Sequence, residues 1–274
     1  MCTSAAVYKD KPMYLMNFDF FEVESRIRIE DKGDIPVFFF EINQGGQFLE
    51  TAGMNTKGFF GNFQGNLSDS HKNIIPDKSC ITIDKLYREF LNSDKSIEEL
   101  LNVIKKKKVV YPPTPPEYNK MHNMFADKMG NAIVLETSDG ENDITKIKDD
   151  FLVMTNFPVG QFKNINYKKV SGIGSDRYIK AYEYISNIGA NFSIDNAFDI
   201  LKSTAQKEKD FETIISMVFD PNELRVYISI RRQFEKIWMV DIRRKCVETF
   251  RGFKNKQAIS IAKAGVSVES LENI

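Results

Sequence analysis

The chain has 274 residues, 42% apolar and 28% charged, and its 38 basic and 38 acidic side chains cancel. That is globular composition with enough length for a sizeable core, and the lack of a basic excess argues against a nucleic-acid binder. No run approaches the roughly 18 apolar residues of a membrane span, and no basic region followed by an apolar stretch marks a secretory signal at the N-terminus.

In chain order, the first third predicts strands. "TSAAVY" and "PMYLMNFDF" are rich in β-branched and aromatic residues and are separated by the polar turn "KDK". "IPVFFFEIN" is a continuous apolar run of the kind buried on both faces of a sheet. "FLETAGMN" and "KGFFGNFQ" then read as a hairpin turning at residues 55–58.

Two helices follow. "TIDKLYREFLN" places Ile83, Leu86, Tyr87 and Phe90 on one face, with Thr82 as N-cap. "SIEELLNVIKKKK" carries a capping box of Ser96 and Glu99 and an apolar stripe of Leu100, Leu101 and Ile104. Lysines 105–108 read as its solvated end. "YPPTPPEY" is a stiff surface connection.

Strands resume in "KMHNMFADKMGNAIVLE", two of them joined at residues 128–130, and in "DDFLVMTNFPV". "SDRYIKAYEYISNI" and "SIDNAFDILKSTAQK" are amphipathic helices, the second capped by Ser193. "ETIISMVFDPNELRVYISIRRQFEKIWMVDI" is a closing meander that turns at Asp220-Pro221-Asn222. Strands in two blocks without βαβ alternation predict antiparallel sheets packed on one another and covered by helices. We expect one domain over 1–274, with a C-terminal tail from about residue 255.

The chemistry is narrowed first by what is missing. The sequence has no G-x-S-x-G elbow, P-loop, HExxH or dinucleotide fingerprint. Cys2, Cys80 and Cys246 are far apart and form no CxxC pair, which argues against a disulfide framework or a zinc site. We therefore expect no metal or cofactor, and a reducing cytoplasmic setting. Of the two histidines, His71 and His122, the second lies in a strand pattern and reads as hydrogen-bonded structure.

Cys2 needs no histidine. Removal of Met1 would place a thiol and a free α-amine on one residue. Such an amine has an ordinary pKa of about 7.7–8.0, and the thiol, near ~8.5, needs a modest push toward thiolate. An N-terminal amine acting as base for its own residue's side chain is a recognised nucleophile arrangement.

"MCTSAAV", "MNFDF", "AGMNTKG", "FADKMGNAIVLE", "MTNFPV" and "GSDRYIKA", in that order, resemble the choloylglycine hydrolase and penicillin V acylase family. These are linear amide hydrolases among the N-terminal nucleophile hydrolases, and the resemblance runs from residue 2 to about residue 242. It implies an α+β, four-layer αββα fold with two mainly antiparallel sheets between helices. It also implies that Cys2 is the nucleophile and that Asp19 holds its α-amine. Asn156 matches an oxyanion-hole amide, and Arg177 an arginine that supports the site. The second oxyanion position falls on Gly65 without a gap, and we assign it to the adjoining Asn66, where the contact can use the main chain. The family's arginine before Asn17 is replaced by Met16.

The function implied is hydrolysis of a small-molecule N-acyl amide through a thioester. The alternatives are an acyltransferase using the same acyl-enzyme and a catalytically silent binding protein. Phe18, Phe20, Phe59, Phe60 and Phe63 read as core rather than acyl pocket. Bile-salt-cleaving relatives carry a long insertion that reaches a neighbouring subunit in their tetramers. The matching interval here, residues 157–176, is short, so we expect a monomer or homodimer with poor activity on bile salts.

Overall fold

The computed structural model describes residues 1–31, 34–67, 77–111, 121–138, 141–208 and 211–274. His71 and the proline-rich stretch after Tyr111 lie outside the described residues.

Strands β1 (Thr3–Tyr8) and β2 (Pro12–Phe20) form the first hairpin, with Ser4 opposite Met16. Strands β3 (Ser25–Glu30), β4 (Val37–Gln44), β5 (Gln47–Asn55) and β6 (Phe60–Asn62) follow as an antiparallel meander. Asn55 builds the β5–β6 turn by accepting from the main-chain N–H groups of Lys57 and Phe59. Gly58 closes it at φ +84°, a conformation that strains any residue with a Cβ.

After the short β7 (Gln64–Gly65), β8 (Cys80–Thr82) leads into α1 (Ile83–Leu91) and α2 (Ile97–Ile104). β9 (Lys108–Val110) then pairs with β8 in parallel. Next come β10 (Met121–Ala126), β11 (Ala132–Ser138), β12 (Glu141–Lys146) and β13 (Phe151–Met154). Helices α3 (Ser175–Asn187) and α4 (Ile194–Thr204) precede the second block of strands. That block is β14 (Lys207–Glu208), β15 (Phe211–Asp220), β16 (Arg225–Ile230), β17 (Ile237–Asp241), β18 (Cys246–Arg251) and β19 (Ala258–Ser260). The chain ends with β20 (Val266–Ser267) and α5 (Val268–Glu272).

Two large sheets result. One runs β13-β1-β2-β15-β16-β17-β18-β19 and the other β12-β11-β10-β6-β5-β4-β3-β20, with β14 and β7 attached beside β15 and β10. Strand alternation sorts the side chains into layers. Tyr14, Met16 and Phe18 of β2 point between the sheets and meet Phe38, Phe40 and Phe60. Met13 and Leu15 point outward to Phe198 and Leu201 of α4 and Ile185 of α3. On the far side, Phe39, Phe59 and Phe125 pack under Leu86, Phe90 and Leu100 of α1 and α2. Each fully buried phenylalanine contributes on the order of 1.5–3 kcal/mol. The architecture is four-layered, αββα, as expected, with the two antiparallel sheets between helices.

Several local expectations change. Thr82 occupies the α1 cap position, but its side chain makes no capping hydrogen bond. Ser96 and Ser193 both cap as the sequence implies. Lys108 opens β9 instead of ending α2. β12, read as no element, is an edge strand of polar residues held by its ladder to β11. The segment set apart as a tail is folded on both sheets, since β19 pairs with β18, β20 pairs with β3, and Val268 and Leu271 enter the central core.

Residues 157–176 are compact. They form 3-10 turns at Val159–Phe162 and Tyr167–Lys169, and Tyr167 stacks on Tyr182 of α3 with ring centroids 4.1 Å apart. Among the described residues, no helix is long and apolar enough to cross a membrane.

Candidate active site

Cys2 stands just before β1, where the end of β2, the residues after β13 and the first turn of α3 converge. It is 5% exposed. Its main-chain N–H donates to Asn156 Oδ1 at 2.7 Å, and its Sγ is 3.9 Å from the carbonyl of Asp19. The α-amine of Met1 donates to that same carbonyl at 2.8 Å. The Cys2 carbonyl accepts from Arg177 Nη1 and, at 3.1 Å, from Gln64 Nε2.

Arg177 is buried in the first turn of α3 and organises the cluster. Its Nη2 donates to Asn156 Oδ1 at 2.8 Å, and its Nη1 donates to Thr3 Oγ1 at 3.0 Å and lies 3.8 Å from Asp19 Oδ2. A buried cation is tolerable when its donors are met in this way. Gly174, the residue capping α3, makes room for it: a Cβ there would stand 2.5 Å from Arg177 Nη2.

Asp19 Oδ1 accepts from Thr213 Oγ1 at 2.6 Å, while the buried Oδ2 has no hydrogen-bond partner. Burial pushes this carboxyl up to about 6, opposed by the N-terminal ammonium, the Thr213 hydroxyl and Arg177. Burial also pushes the Cys2 thiol up, with the N-terminal ammonium as the largest opposing influence. A free α-ammonium at residue 2 would bring that positive charge closer to both groups.

Asn156 is fixed at both ends of its amide. Oδ1 accepts from Cys2 and Arg177, and Nδ2 donates to the Gly65 carbonyl at 2.7 Å. An amide nitrogen carries two hydrogens, so one remains for a ligand. The Asn156 carbonyl also accepts from Leu67 N at 2.9 Å, which joins the segment after β7 to the site.

Asn66 is buried beside these groups, but its side-chain amide is committed to Glu136 Oε1 at 3.3 Å. Met16 is fully buried in the layer between the sheets that also holds Cys2. Its Sδ lies 3.6 Å from Asn62 Nδ2, which also donates to Ser4 Oγ at 2.7 Å. His122 is hydrogen-bonded through both ring nitrogens, to Glu136 and to the Thr155 carbonyl. Of the five phenylalanines, Phe59 and Phe60 are core residues on opposite sides of one sheet. Phe18 and the partly buried Phe20 pack in the same core cluster as Cys2. Among the described residues, no group of three or more His, Cys, Asp or Glu could hold a metal ion.

Sequence reasoning missed Gln64 and Thr213. Gln64 is 1% exposed and spans Ser4, the Cys2 carbonyl and the Met154 carbonyl. A buried glutamine in an aromatic strand is a faint signal. Thr213 gave none, since it meets Asp19 through the β2–β15 ladder, which is irregular just there.

The family profile described as linear amide C-N hydrolases, choloylglycine hydrolase family, matches residues 40–182. The chain belongs to this family. As a choloylglycine-family protein it is a linear amide C-N hydrolase. The matched interval contains Asn66, Asn156 and Arg177 and begins after Cys2 and Asp19.

Solved structures extend the likeness in fold to nearly the whole chain. The C2A mutant of conjugated bile acid hydrolase from Clostridium perfringens superposes at TM-score 0.68 with 18% identity, covering 96% of this chain and 98% of that one. Penicillin V acylase from Agrobacterium tumefaciens gives 0.68 with 15% identity, covering 92% and 91%. The Caenorhabditis elegans ortholog of N-acylethanolamine-hydrolyzing acid amidase gives 0.55 with 16% identity, covering 80% and 93%. Compared by sequence with curated proteins, the chain has no match.

Proposed function

We propose that this hydrolase uses Cys2, after removal of Met1, as an N-terminal nucleophile on a small N-acyl amide. One observation carries the reading: the α-nitrogen of Cys2 is held by Asn156 beside a buried Asp19 whose Oδ2 lacks a hydrogen-bond donor. A buried carboxylate oxygen without a donor is costly, and an α-ammonium at residue 2 would supply the missing donor.

In this reading the α-amine takes the thiol proton and the Cys2 thiolate attacks the amide carbonyl. The second Asn156 Nδ2 hydrogen and a main-chain N–H at Asn66 stabilise the oxyanion, where preorganised donors act most strongly. Collapse breaks the C–N bond, and the α-ammonium returns its proton to the leaving nitrogen. Water, deprotonated by the same amine, then cleaves the thioester to release the carboxylic acid. Arg177 holds Asn156 and the Cys2 carbonyl in place throughout.

The substrate class is an N-acylated amine or amino acid. Because residues 157–176 lie folded against α3, we assign a monomer or homodimer with little activity on bile salts. A reducing cytoplasm keeps the Cys2 thiol free.

The test is amine release from a panel of N-acyl amino acids, N-acyl lactones, penicillin V and a glycine-conjugated bile salt. Purified wild type should release amine from at least one N-acyl compound, and Cys2→Ala from none. Equal release by both proteins contradicts the reading.

A further inference from the structure

His122 of β10 and Glu136 of β11 are 0% and 3% exposed and sit behind the residues assigned to the oxyanion. The chemistry above uses neither. His122 Nε2 lies 2.7 Å from the carbonyl of Thr155, the residue before Asn156. A carbonyl only accepts, so the hydrogen-bond network assigns a hydrogen to Nε2. Nδ1 lies 2.9 Å from Glu136 Oε1, so that contact holds a second proton between the two atoms.

The same carboxylate gathers the surrounding main chain. Oε1 also accepts from Asn66 Nδ2 at 3.3 Å and from Val159 N at 3.1 Å, and Oε2 accepts from Gly160 N at 2.7 Å. Gly160 is matched to it: a Cβ there would stand 3.0 Å from Glu136 Oε2 and 2.1 Å from Asp143 Oδ2.

We propose that His122 and Glu136 are a positioning pair that fixes the two oxyanion donors relative to each other. One end of the pair holds the peptide leading into Asn156, and the other holds Asn66. The proposal rests on the roles given to those asparagines under the proposed function. The pair touches no reacting atom. It acts through donor placement, where an error of about 1 Å costs on the order of 10²-fold in rate.

Glu136→Gln keeps the shape but removes the charge and turns one of the two acceptor oxygens into a donor, so that either the Oε1 contacts or the Gly160 N–H lose their acceptor. His122→Gln keeps a donor for the Thr155 carbonyl but not the bond to Glu136. The full chain is assayed for hydrolysis of one N-acyl amino acid, for Cys2 alkylation by iodoacetamide, and for its urea midpoint. Alkylation needs the thiolate but no oxyanion hole, so it separates donor placement from thiol activation.

Glu136→Gln should lower kcat on the order of 10²-fold with KM within about 3-fold. Its alkylation rate should stay within about 2-fold of wild type. His122→Gln should lose about 10-fold in kcat, and it carries the comparison if Glu136→Gln does not fold. A folded variant with kcat within about 3-fold of wild type overturns the proposal, as does alkylation that falls in parallel with kcat. Turnover that survives Cys2→Ala overturns the functional reading instead, so the two failures are read from different variants.

Discussion

Thr213 donates its hydroxyl to one carboxylate oxygen of Asp19 at 2.6 Å, and the Thr213 oxygen in turn accepts from Gln206 N at 2.8 Å. The bond leaves the other Asp19 oxygen free of hydrogen bonds and 3.8 Å from Arg177. Thr213 thus selects which carboxylate oxygen faces Arg177.

Removing that hydroxyl should raise the Asp19 carboxyl further, since the hydrogen bond favours its charged form. For Thr213→Val we expect the acid limb of the pH–rate profile to move to higher pH and neutral turnover to fall about 10-fold. An unshifted acid limb would mean that ionised Asp19 is not required.

Asp19 also makes stability depend on pH. In the chain that keeps Met1 its carboxyl is held at about 6 against an ordinary 3.8, so the folded state binds this proton more tightly than the unfolded chain. Its contribution to stability is therefore full below about pH 4 and is lost as pH rises through about 6, a difference of roughly 3 kcal/mol. Compared in chains that keep Met1, Asp19→Asn, which can still accept from Thr213, should be more stable than the unsubstituted protein at about pH 8 and no more stable at about pH 4. Urea unfolding at the two pH values checks the sign, and a variant less stable at high pH would contradict it.

Met16→Arg should destabilise the fold. Met16 is fully buried in the apolar layer between the sheets, and its Sδ faces the amide nitrogen of Asn62, a donor, at 3.6 Å. An arginine there meets a donor where it needs an acceptor, at a cost of about 3 kcal/mol or more. The urea midpoint reads this directly. A variant as stable as wild type with a lowered thiol pKa would show that the site accepts a cation at residue 16.

Cys2→Ser should retain a small fraction of turnover, because a hydroxyl is far less acidic than a thiol and its base is weak. Cys80→Ala and Cys246→Ala should hydrolyse amide within about 3-fold of wild type. Cys80 bonds to the surface Asp77, and Cys246 lies on β18 beside Glu248. Loss of activity in folded Cys246→Ala would move the nucleophile elsewhere.

Local pattern made β1, β2, the capping box of α2 and the Ser193 cap of α4 legible, since their signals lie within a few residues. The polar β12 and the short β19 and β20 were not, because tertiary pairing with β11, β18 and β3 creates them. The same division holds at the site. Cys2, Asp19, Asn156 and Arg177 could be named by resemblance, and the structure brings them into one cluster. Asn66 is close in the chain, but its side chain goes to Glu136. Gln64, Thr213 and the His122–Glu136 contact depend on strand register, which no single sequence segment encodes.

The most direct test is to trap the acyl-enzyme. Wild type is mixed with a turned-over N-acyl amide, quenched in acid, and examined by intact-mass and peptide mass spectrometry. The account predicts a chain that begins at Cys2 and carries one acyl group on its N-terminal peptide, released by hydroxylamine as a thioester is. Turnover by protein that retains Met1, or an acyl group mapped to Cys80, Cys246 or any other residue, would contradict it.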